Sequence, residues 1–191
     1  MSATETSAAP SPAAVALSDL QVVPSILAAD FRRLGDRVEE VLAAGACLMH
    51  CDVMDGHFVP PITFGPMVVS ALSDLVHGMG GILDVHVMVE RPERQLDDVA
   101  AAGADVITVH LEATPDLHYA LNVIREAACL AGLALNPATP VEAVTAASHM
   151  VDVGLCMTVN PWLGRAALYP LGASQNQPTA GIARRELRGR G

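Results

Sequence analysis

Short apolar runs rich in β-branched residues alternate with longer amphipathic stretches from Gln21 onwards. Such runs indicate strands that are buried on both faces. They lie at Val22–Leu27, Leu48–Met54, Ile82–Val89, Val106–Leu111, Leu133–Leu135 and Val153–Val159. Helical periodicity fills the stretches between them, most clearly at Phe31–Ala44, Pro92–Ala102 and Asp116–Ala131. Six strands and five linking helices in this order predict a parallel α/β sheet covered by helices, either doubly wound or closing as a barrel.

Related glycine-containing phrases stand near the ends of three predicted helices. Gly45, Gly103 and Gly132 each follow an alanine and precede the next apolar run. Glycine readily adopts the left-handed backbone conformation with which many helices end. We therefore expect each of these glycines to end a helix before the next strand begins.

Polar residues recur on one face of the second and third predicted strands. Because residues two apart in a strand face the same way, the two sets are His50, Asp52 and Met54, and Asp84, His86 and Met88. In a barrel this face points inward, and active sites form at the carboxyl ends of the strands. His50, Asp52 and His86 offer ligand types for a divalent ion such as Zn²⁺, Mn²⁺ or Fe²⁺. The alternative is that each histidine is hydrogen-bonded in the core; the convergence of all three favours a metal site.

Other polar residues end predicted strands, but each is a weak signal by itself. They are Ser25, His110, Glu112 and Asn136. The phrases Pro24-Ser25 and Asn136-Pro137 could simply shape turns.

Composition narrows the classes of function. The formal net charge of −10 argues against a nucleic-acid partner, and no apolar run is long enough to predict a membrane span. The chain has no lysine, which excludes Schiff-base chemistry on a catalytic lysine. Its 4 cysteines lack CxxC spacing and indicate free thiols in a reducing compartment. Residues 1–17 lack the basic start of a signal peptide, so we predict a disordered leader on a cytoplasmic protein.

Five phrases carry a resemblance to a known family. They are Pro24–Phe31, His50–Pro60, Asp84–Val89, Leu135–Pro140 and Met157–Pro161. In this order and spacing they resemble the ribulose-phosphate 3-epimerase family over residues 22–161. The resemblance implies a (β/α)₈ TIM barrel, here incomplete with about six β/α units. Residues 18–161 would then be a partial ribulose-phosphate-binding barrel.

The resemblance also implies roles for individual residues. His50, Asp52 and His86 match three of the family's four protein ligands to a divalent metal ion, which could be Zn, Mn, Fe or Co. Asp52 also matches the proton acceptor, and the second acid/base aspartate has no counterpart in this chain. Residues that match substrate contacts are Ser25, His86, Met54, Met88 and Met157. No organic cofactor is implied.

The implied reaction interconverts D-ribulose 5-phosphate and D-xylulose 5-phosphate in the pentose phosphate pathway, by metal-assisted proton transfer at C3. The partner is then the pentose 5-phosphate; a family-like homo-oligomer is doubtful for a shortened barrel. Alternatives are a non-catalytic fragment and a 3-epimerase of a six-carbon ketose phosphate. A decarboxylase of the phosphate-barrel type would need a lysine in its reaction centre, which this chain lacks.

The pattern departs from the family after Pro161. The family has a glycine-rich phosphate-binding loop there, whereas this chain reads Trp162-Leu163-Gly164-Arg165. Codons that spell Trp162–Pro170, read one base later, spell Gly-Trp-Gly-Gly-Gln-Arg-Phe-Ile. Our hypothesis is a frameshift at or just after Pro161, with a divergent natural tail as the alternative. We expect residues 162–191 to be a disordered tail outside the family pattern and the chain's activity to be impaired.

Overall fold

Helices and parallel strands alternate through the computed structural model, which describes residues 12–18 and 20–159. The α-helices are α1 (Pro12–Ala16), α2 (Leu34–Ala43), α3 (Pro66–Gly78), α4 (Leu96–Ala101) and α5 (Leu117–Glu126). The strands are β1 (Leu48–Met54), β2 (Ile82–Met88), β3 (Val106–His110), β4 (Leu130–Leu135) and β5 (Val153–Cys156). Short 3₁₀ helices cover Ile26–Ala28, Phe31–Arg33, Pro92–Arg94 and Val141–Met150. The predicted tail lies outside the described residues.

The five strands form one parallel sheet in the order β1-β2-β3-β4-β5. A doubly wound sheet reverses its strand order at a switch point, and no reversal occurs in the described part of this sheet. Helical segments connect each strand to the next. This arrangement confirms the predicted α/β class and is that of an incomplete (β/α)₈ barrel.

The outward face of the sheet is apolar and packs against the helices. Its strand residues alternate strictly with the inward ones, because successive side chains in a strand point to opposite faces. The outward set includes Cys51, Val53, Val85, Val87 and Val109. Helix residues that cover it include Val38, Leu72, Val76, Leu96 and Leu121. This layer is the main hydrophobic core, and it fixes which residues face inward.

The amino-terminal end of the inward face is also apolar. Leu48, Ile82, Val106 and Val153 form its floor, and Ala13 and Leu17 pack against them from α1 and the turn after it. The structure therefore differs from the expected disordered leader at residues 12–17. The pattern of this segment was too short to predict a helix, but its two buried side chains cover an apolar surface that the sheet alone would expose. Residues 1–11 lie outside the described residues.

The first predicted strand is replaced by an isolated contact. Ser25 forms a single parallel bridge with His50, and the carbonyl of Pro24 accepts the His50 N–H at 2.9 Å. Pro24 has no N–H to extend the ladder, and the chain turns into the 3₁₀ helix at Ile26–Ala28. The prediction of six strands is thus wrong by one for the described residues.

Two of the three glycines that were expected to end helices do so. Gly45 and Gly103 have φ values of 103° and 101°. Helix α5, however, ends at Glu126, and Ala128 takes the left-handed conformation with φ of 62°. Gly132 lies inside β4, where an added Cβ would overlap the Thr108 hydroxyl oxygen. Close approach to β3, rather than helix termination, is the structural reason for glycine at this position.

Leu17→Ala is expected to lower the free energy of unfolding by about 2 kcal/mol. This is the low end of the range for a buried leucine, because a five-residue helix can partly detach to relieve the cavity. Urea denaturation followed by circular dichroism measures the change. Val15→Ala is the control, because Val15 in the same helix is 55% exposed and its loss should cost less than about 0.5 kcal/mol. Equal effects of the two substitutions would contradict the packing of Leu17 on the floor.

Candidate metal centre

Strands β1 and β2 place the predicted ligands beside one another. Asp52 is paired with His86 across the two strands, and His50 is paired with Asp84. All four alternate with the apolar residues of the outward face, so they point into the concave side of the sheet. The sheet therefore brings two histidines and two aspartates into one patch above the apolar floor.

The three predicted ligands meet on one carboxylate. His50 Nε2 lies 3.1 Å from Asp52 Oδ1, and His86 Nδ1 lies 3.3 Å from the same oxygen. One ligand atom from each of the three residues lies within 4.8 Å of the other two. Two imidazole nitrogens and a carboxylate oxygen at this spacing fit a divalent cation. The structure brings the residues together, and their role as ligands stays a prediction.

Two further side chains orient this group. Asp84 Oδ2 lies 2.6 Å from His50 Nδ1, on the side of the ring away from Asp52. A carboxylate behind a histidine in this way fixes the ring and its tautomer in many metal sites. Ser25 donates its hydroxyl to Asp52 Oδ2 at 2.7 Å, which leaves Oδ1 directed at the two imidazoles. Ser25 was expected to contact substrate, and here it contacts Asp52.

Charge is distributed unevenly over the three residues. Burial alone would lower the pKa of His50, but the carboxylates of Asp84 and Asp52 raise it to about 10. Burial opposes ionisation of Asp52, yet hydrogen bonds from His50 and His86 hold the pKa of its carboxyl well below the usual range. Burial dominates for His86 and lowers its pKa to about 4. At neutral pH the metal-free group therefore carries a protonated His50, an ionised Asp52 and a neutral His86.

Zinc affinity is expected to rise with pH, about tenfold per unit, up to the pKa of about 10 on His50. A histidine ligand must be neutral, so the ion displaces one proton from His50 at any pH below that value. Above about pH 4 Asp52 is ionised and His86 is a neutral imidazole, so neither residue adds to the dependence of zinc affinity on pH. Competition with a chromophoric chelator at several pH values measures the affinity. An affinity that does not change between pH 6 and pH 8 would contradict displacement of a proton from His50.

Apolar side chains close the carboxyl end of this patch. Met88 is buried and packs with Phe58, Val59 and Ala113, and Met54 packs against the same cluster. Contact of Met54 and Met88 with substrate stays a prediction. Met157 lies directly after β5, where its N–H donates to the Leu135 carbonyl, outside that cluster.

A second histidine–carboxylate pair extends the group, and the sequence did not reveal its role. His86 Nε2 lies 2.9 Å from His110 Nε2, and His110 Nδ1 lies 3.3 Å from Glu112 Oε2. Burial opposes ionisation of Glu112, yet hydrogen bonds from His110 and Thr139 lower its pKa to about 2. The available signal was spacing: His110-x-Glu112 repeats the His50-x-Asp52 pattern at the end of another inward-facing strand.

An open cleft adjoins this extension. It has a volume of about 450 Å³ and is lined by His57, Phe58, Glu90, Arg91, Glu112, Ala113, Thr114 and Pro115. Nearby, the side-chain oxygen of Asn136 is buried without a hydrogen-bond partner in the described part of the chain. The cleft borders the histidine group through Glu112 and does not include its three predicted ligands.

In residues 12–18 and 20–159 no helix has the length and apolar character that crossing a bilayer requires.

Comparison with known proteins identifies the family. The model of the ribulose-phosphate 3-epimerase family matches residues 21–172, eleven residues beyond the last quoted motif. The chain is similar to the ribulose-phosphate 3-epimerase of Bacillus subtilis, with 46% identity over 76% of this chain and 65% of that protein. It has the same identity to the Escherichia coli K12 enzyme, over 78% of this chain and 65% of that protein. It is also 46% identical to the chloroplastic ribulose-5-phosphate-3-epimerase of Arabidopsis thaliana, over 77% of this chain and 52% of that protein.

The chain thus spans about 65% of the length of the two bacterial relatives that it matches. The matched region contains β1 to β5 and the whole cluster of His50, Asp52 and His86. A match of this extent, together with the parallel sheet and its histidine-rich inner face, leads to one conclusion: the chain belongs to the ribulose-phosphate 3-epimerase family.

Proposed function

We propose that this site removes the C3 proton of a ketose 5-phosphate, as one half of the interconversion of D-ribulose 5-phosphate and D-xylulose 5-phosphate. The observation that carries the proposal is the convergence of His50 and His86 on one oxygen of Asp52. Family membership supplies the class of substrate. His50, Asp52 and His86 would hold a divalent ion, and zinc, manganese, iron and cobalt all accept this donor set.

Asp52 is the proposed base. Its low pKa keeps it ionised at neutral pH, and the Ser25 hydroxyl fixes its orientation. The C3 proton is acidic because the C2 carbonyl lies next to it, and its removal leaves an enediolate. A bound divalent ion supplies Lewis-acid stabilisation for the negative charge on the sugar oxygens. This proton transfer requires no organic cofactor.

Met54, Met88 and Phe58 have a protective role in this proposal. They form an apolar cover at the carboxyl end of the inner face, next to the histidine group. Exclusion of water strengthens the interactions between charges in the site and protects a reactive carbanion-like species from side reactions.

Inversion at C3 requires a second proton donor on the opposite face of the sugar. The Asp84 carboxylate is hydrogen-bonded to His50. The Glu112 carboxylate is hydrogen-bonded to His110 and to the loop after β4. Asp152 lies at the amino-terminal end of β5, where it accepts the Ala131 N–H. Each of these three carboxylates is therefore already engaged in a hydrogen bond within the described part of the chain. We therefore propose that this chain exchanges the C3 proton on one face much faster than it inverts C3.

Deuterium exchange tests this proposal without requiring complete epimerisation. The chain is incubated with Zn²⁺ or Mn²⁺ and with each pentose 5-phosphate separately in D₂O, and C3 is followed by proton NMR. We expect deuterium to enter the one epimer whose C3 proton faces Asp52, with little conversion to the other. His86→Ala should lower both metal affinity and exchange. Absence of exchange at saturating metal would favour the non-catalytic fragment.

The same assay separates the remaining alternatives. Faster exchange with a six-carbon ketose phosphate than with either pentose 5-phosphate would assign the larger sugar as substrate. Efficient inversion of C3 would show that a second donor acts in this chain. A cytoplasmic location, the absence of nucleic-acid partners and the doubt about a homo-oligomer stay predictions.

A further inference from the structure

The imidazole of His86 is sandwiched between the candidate centre and a second imidazole. Its Nδ1 faces Asp52, and its Nε2 lies 2.9 Å from His110 Nε2. The ring centroids lie 4.9 Å apart and the ring planes are inclined by 22°, and the exposed fractions of the two side chains are 2% and 0%. Buried ring nitrogens of this kind must be matched donor to acceptor, because water does not complete their hydrogen bonds.

The row of contacts ends on a carboxylate that the fold holds firmly. Glu112 Oε2 lies 3.3 Å from His110 Nδ1. Glu112 Oε1 accepts the Asn136 N–H at 2.9 Å and also accepts the hydroxyl of Thr139. The loop after β4 thereby fixes which oxygen of Glu112 faces His110.

The series of contacts from Asp52 through His86 and His110 to Glu112 is limited by the number of ring protons that the two imidazoles carry. It has a carboxylate at each end, Asp52 and Glu112, with two imidazoles and three contacts between them. Two neutral imidazoles carry only two ring protons. When both rings are neutral, one of the three contacts therefore lacks a ring proton, and a metal cation between the two lone pairs at that contact would take the place of the missing proton. The contact between His86 and Asp52 is the one at which the candidate ligands converge.

We propose that Glu112 and His110 are positioning residues that select the metal-binding tautomer of His86. The ionised Glu112 accepts a hydrogen bond from His110 Nδ1–H, so His110 Nε2 presents a lone pair to His86. His86 then donates a hydrogen bond from Nε2–H to His110 Nε2 and directs its Nδ1 lone pair towards Asp52 and the cation. This inference rests on the proposed function, because it takes His86 as a ligand of the metal centre.

We call the hydrogen-bonded series Glu112–His110–His86 the relay. Glu112→Gln tests the relay with almost no change in side-chain size. The Asn136 N–H and the Thr139 hydroxyl will hold the amide oxygen where Glu112 Oε1 lies, which turns the amide NH₂ towards His110. The NH₂ donates, so His110 must move its proton to Nε2 and His86 its proton to Nδ1. We expect zinc affinity to fall about 10- to 100-fold, the usual effect of losing a partner behind a ligand. Long-range ¹H–¹⁵N NMR of the zinc-loaded wild type should show protons on His110 Nδ1 and His86 Nε2.

Asp105→Asn is the matched control. Asp105 also accepts from a histidine, with His77 Nε2 at 2.9 Å, but it precedes β3 and lies at the opposite end of the sheet. Its substitution should leave zinc affinity unchanged. Thr139→Val provides a second test if Glu112→Gln fails to fold, because it removes only one support of Glu112 and should weaken zinc binding about fivefold, the effect of one hydrogen bond.

The outcomes distinguish this inference from the function on which it rests. Equal zinc affinity of wild type and Glu112→Gln, or of wild type and Thr139→Val should the first variant not fold, would overturn the relay alone. A proton on His110 Nε2 in the zinc-loaded wild type would also overturn it. Failure of the wild-type chain to bind zinc would overturn the metal centre and the relay together.

Discussion

Asp52→Asn is expected to reduce C3 deuterium exchange by about 10²–10⁴-fold, the usual contribution of a positioned general base. The amide retains the shape of the carboxylate and can still accept the Ser25 hydroxyl, so the fold should be preserved. What disappears is the negative charge that takes the proton and that attracts both imidazoles. Exchange should be measured at saturating Zn²⁺ or Mn²⁺, so that weaker metal binding is separated from loss of the base.

Asp97→Asn is the control for this experiment, because Asp97 is an exposed residue of α4 on the outer side of the barrel. It should exchange C3 deuterium at the wild-type rate. If Asp52→Asn retains the wild-type rate at saturating metal, another group removes the proton, and Glu112 at the edge of the cleft becomes the first candidate.

Gly132→Ala is expected to destabilise the fold by about 3 kcal/mol, the upper part of the range for overpacking in a core. The new Cβ would overlap the Thr108 hydroxyl oxygen and lie 2.9 Å from the backbone of Thr108. Movement of the Thr108 side chain alone cannot relieve a clash with its backbone, so β3 and β4 must separate where their hydrogen bonds hold them together. The midpoint of urea denaturation should fall accordingly.

Gly78→Ala is the matched control for Gly132→Ala. Gly78 lies at the end of α3, and a Cβ added there would meet nothing within 4 Å, so the same methyl group should be tolerated. Thr108→Ala should rescue Gly132→Ala only in part, because it removes the clash with the hydroxyl and leaves the clash with the backbone. A Gly132→Ala protein as stable as the wild type would show that the two strands can move apart without cost.

The sheet was largely predictable because its strands are apolar on both faces. The bounds of β1 were predicted to the residue, and those of β2 and β3 to within one residue at the carboxyl end. The prediction failed where sequence pattern and three-dimensional contacts disagree. Gly132 resembles a helix end in sequence, yet glycine is required there because Thr108, which is 24 residues earlier and on another strand, leaves no room for a Cβ.

The candidate centre was predictable for a related reason. Alternation within β1 and β2 is enough to place His50, Asp52 and His86 on one face, and the register of two neighbouring parallel strands brings them together. The relay through His110 needs three further facts: the register of β3, the direction of the Glu112 side chain and the position of Thr139. Only the folded chain supplies these, which is why the sequence suggested His110 and Glu112 without connecting them to His86.

The apolar floor under the histidine group has a consequence for how the centre responds to its surroundings. Leu48, Ile82, Val106 and Val153 lie below the charged layer, and Met88 and Phe58 lie above it, so that this layer is enclosed by two apolar layers of low dielectric constant. Mobile ions cannot enter those layers, so dissolved salt screens the attraction between Asp52 and a bound cation far less than it screens charges on the surface. Cation affinity should therefore change little between low and physiological ionic strength, whereas removal of α1 would admit water beneath the site and make it sensitive to salt.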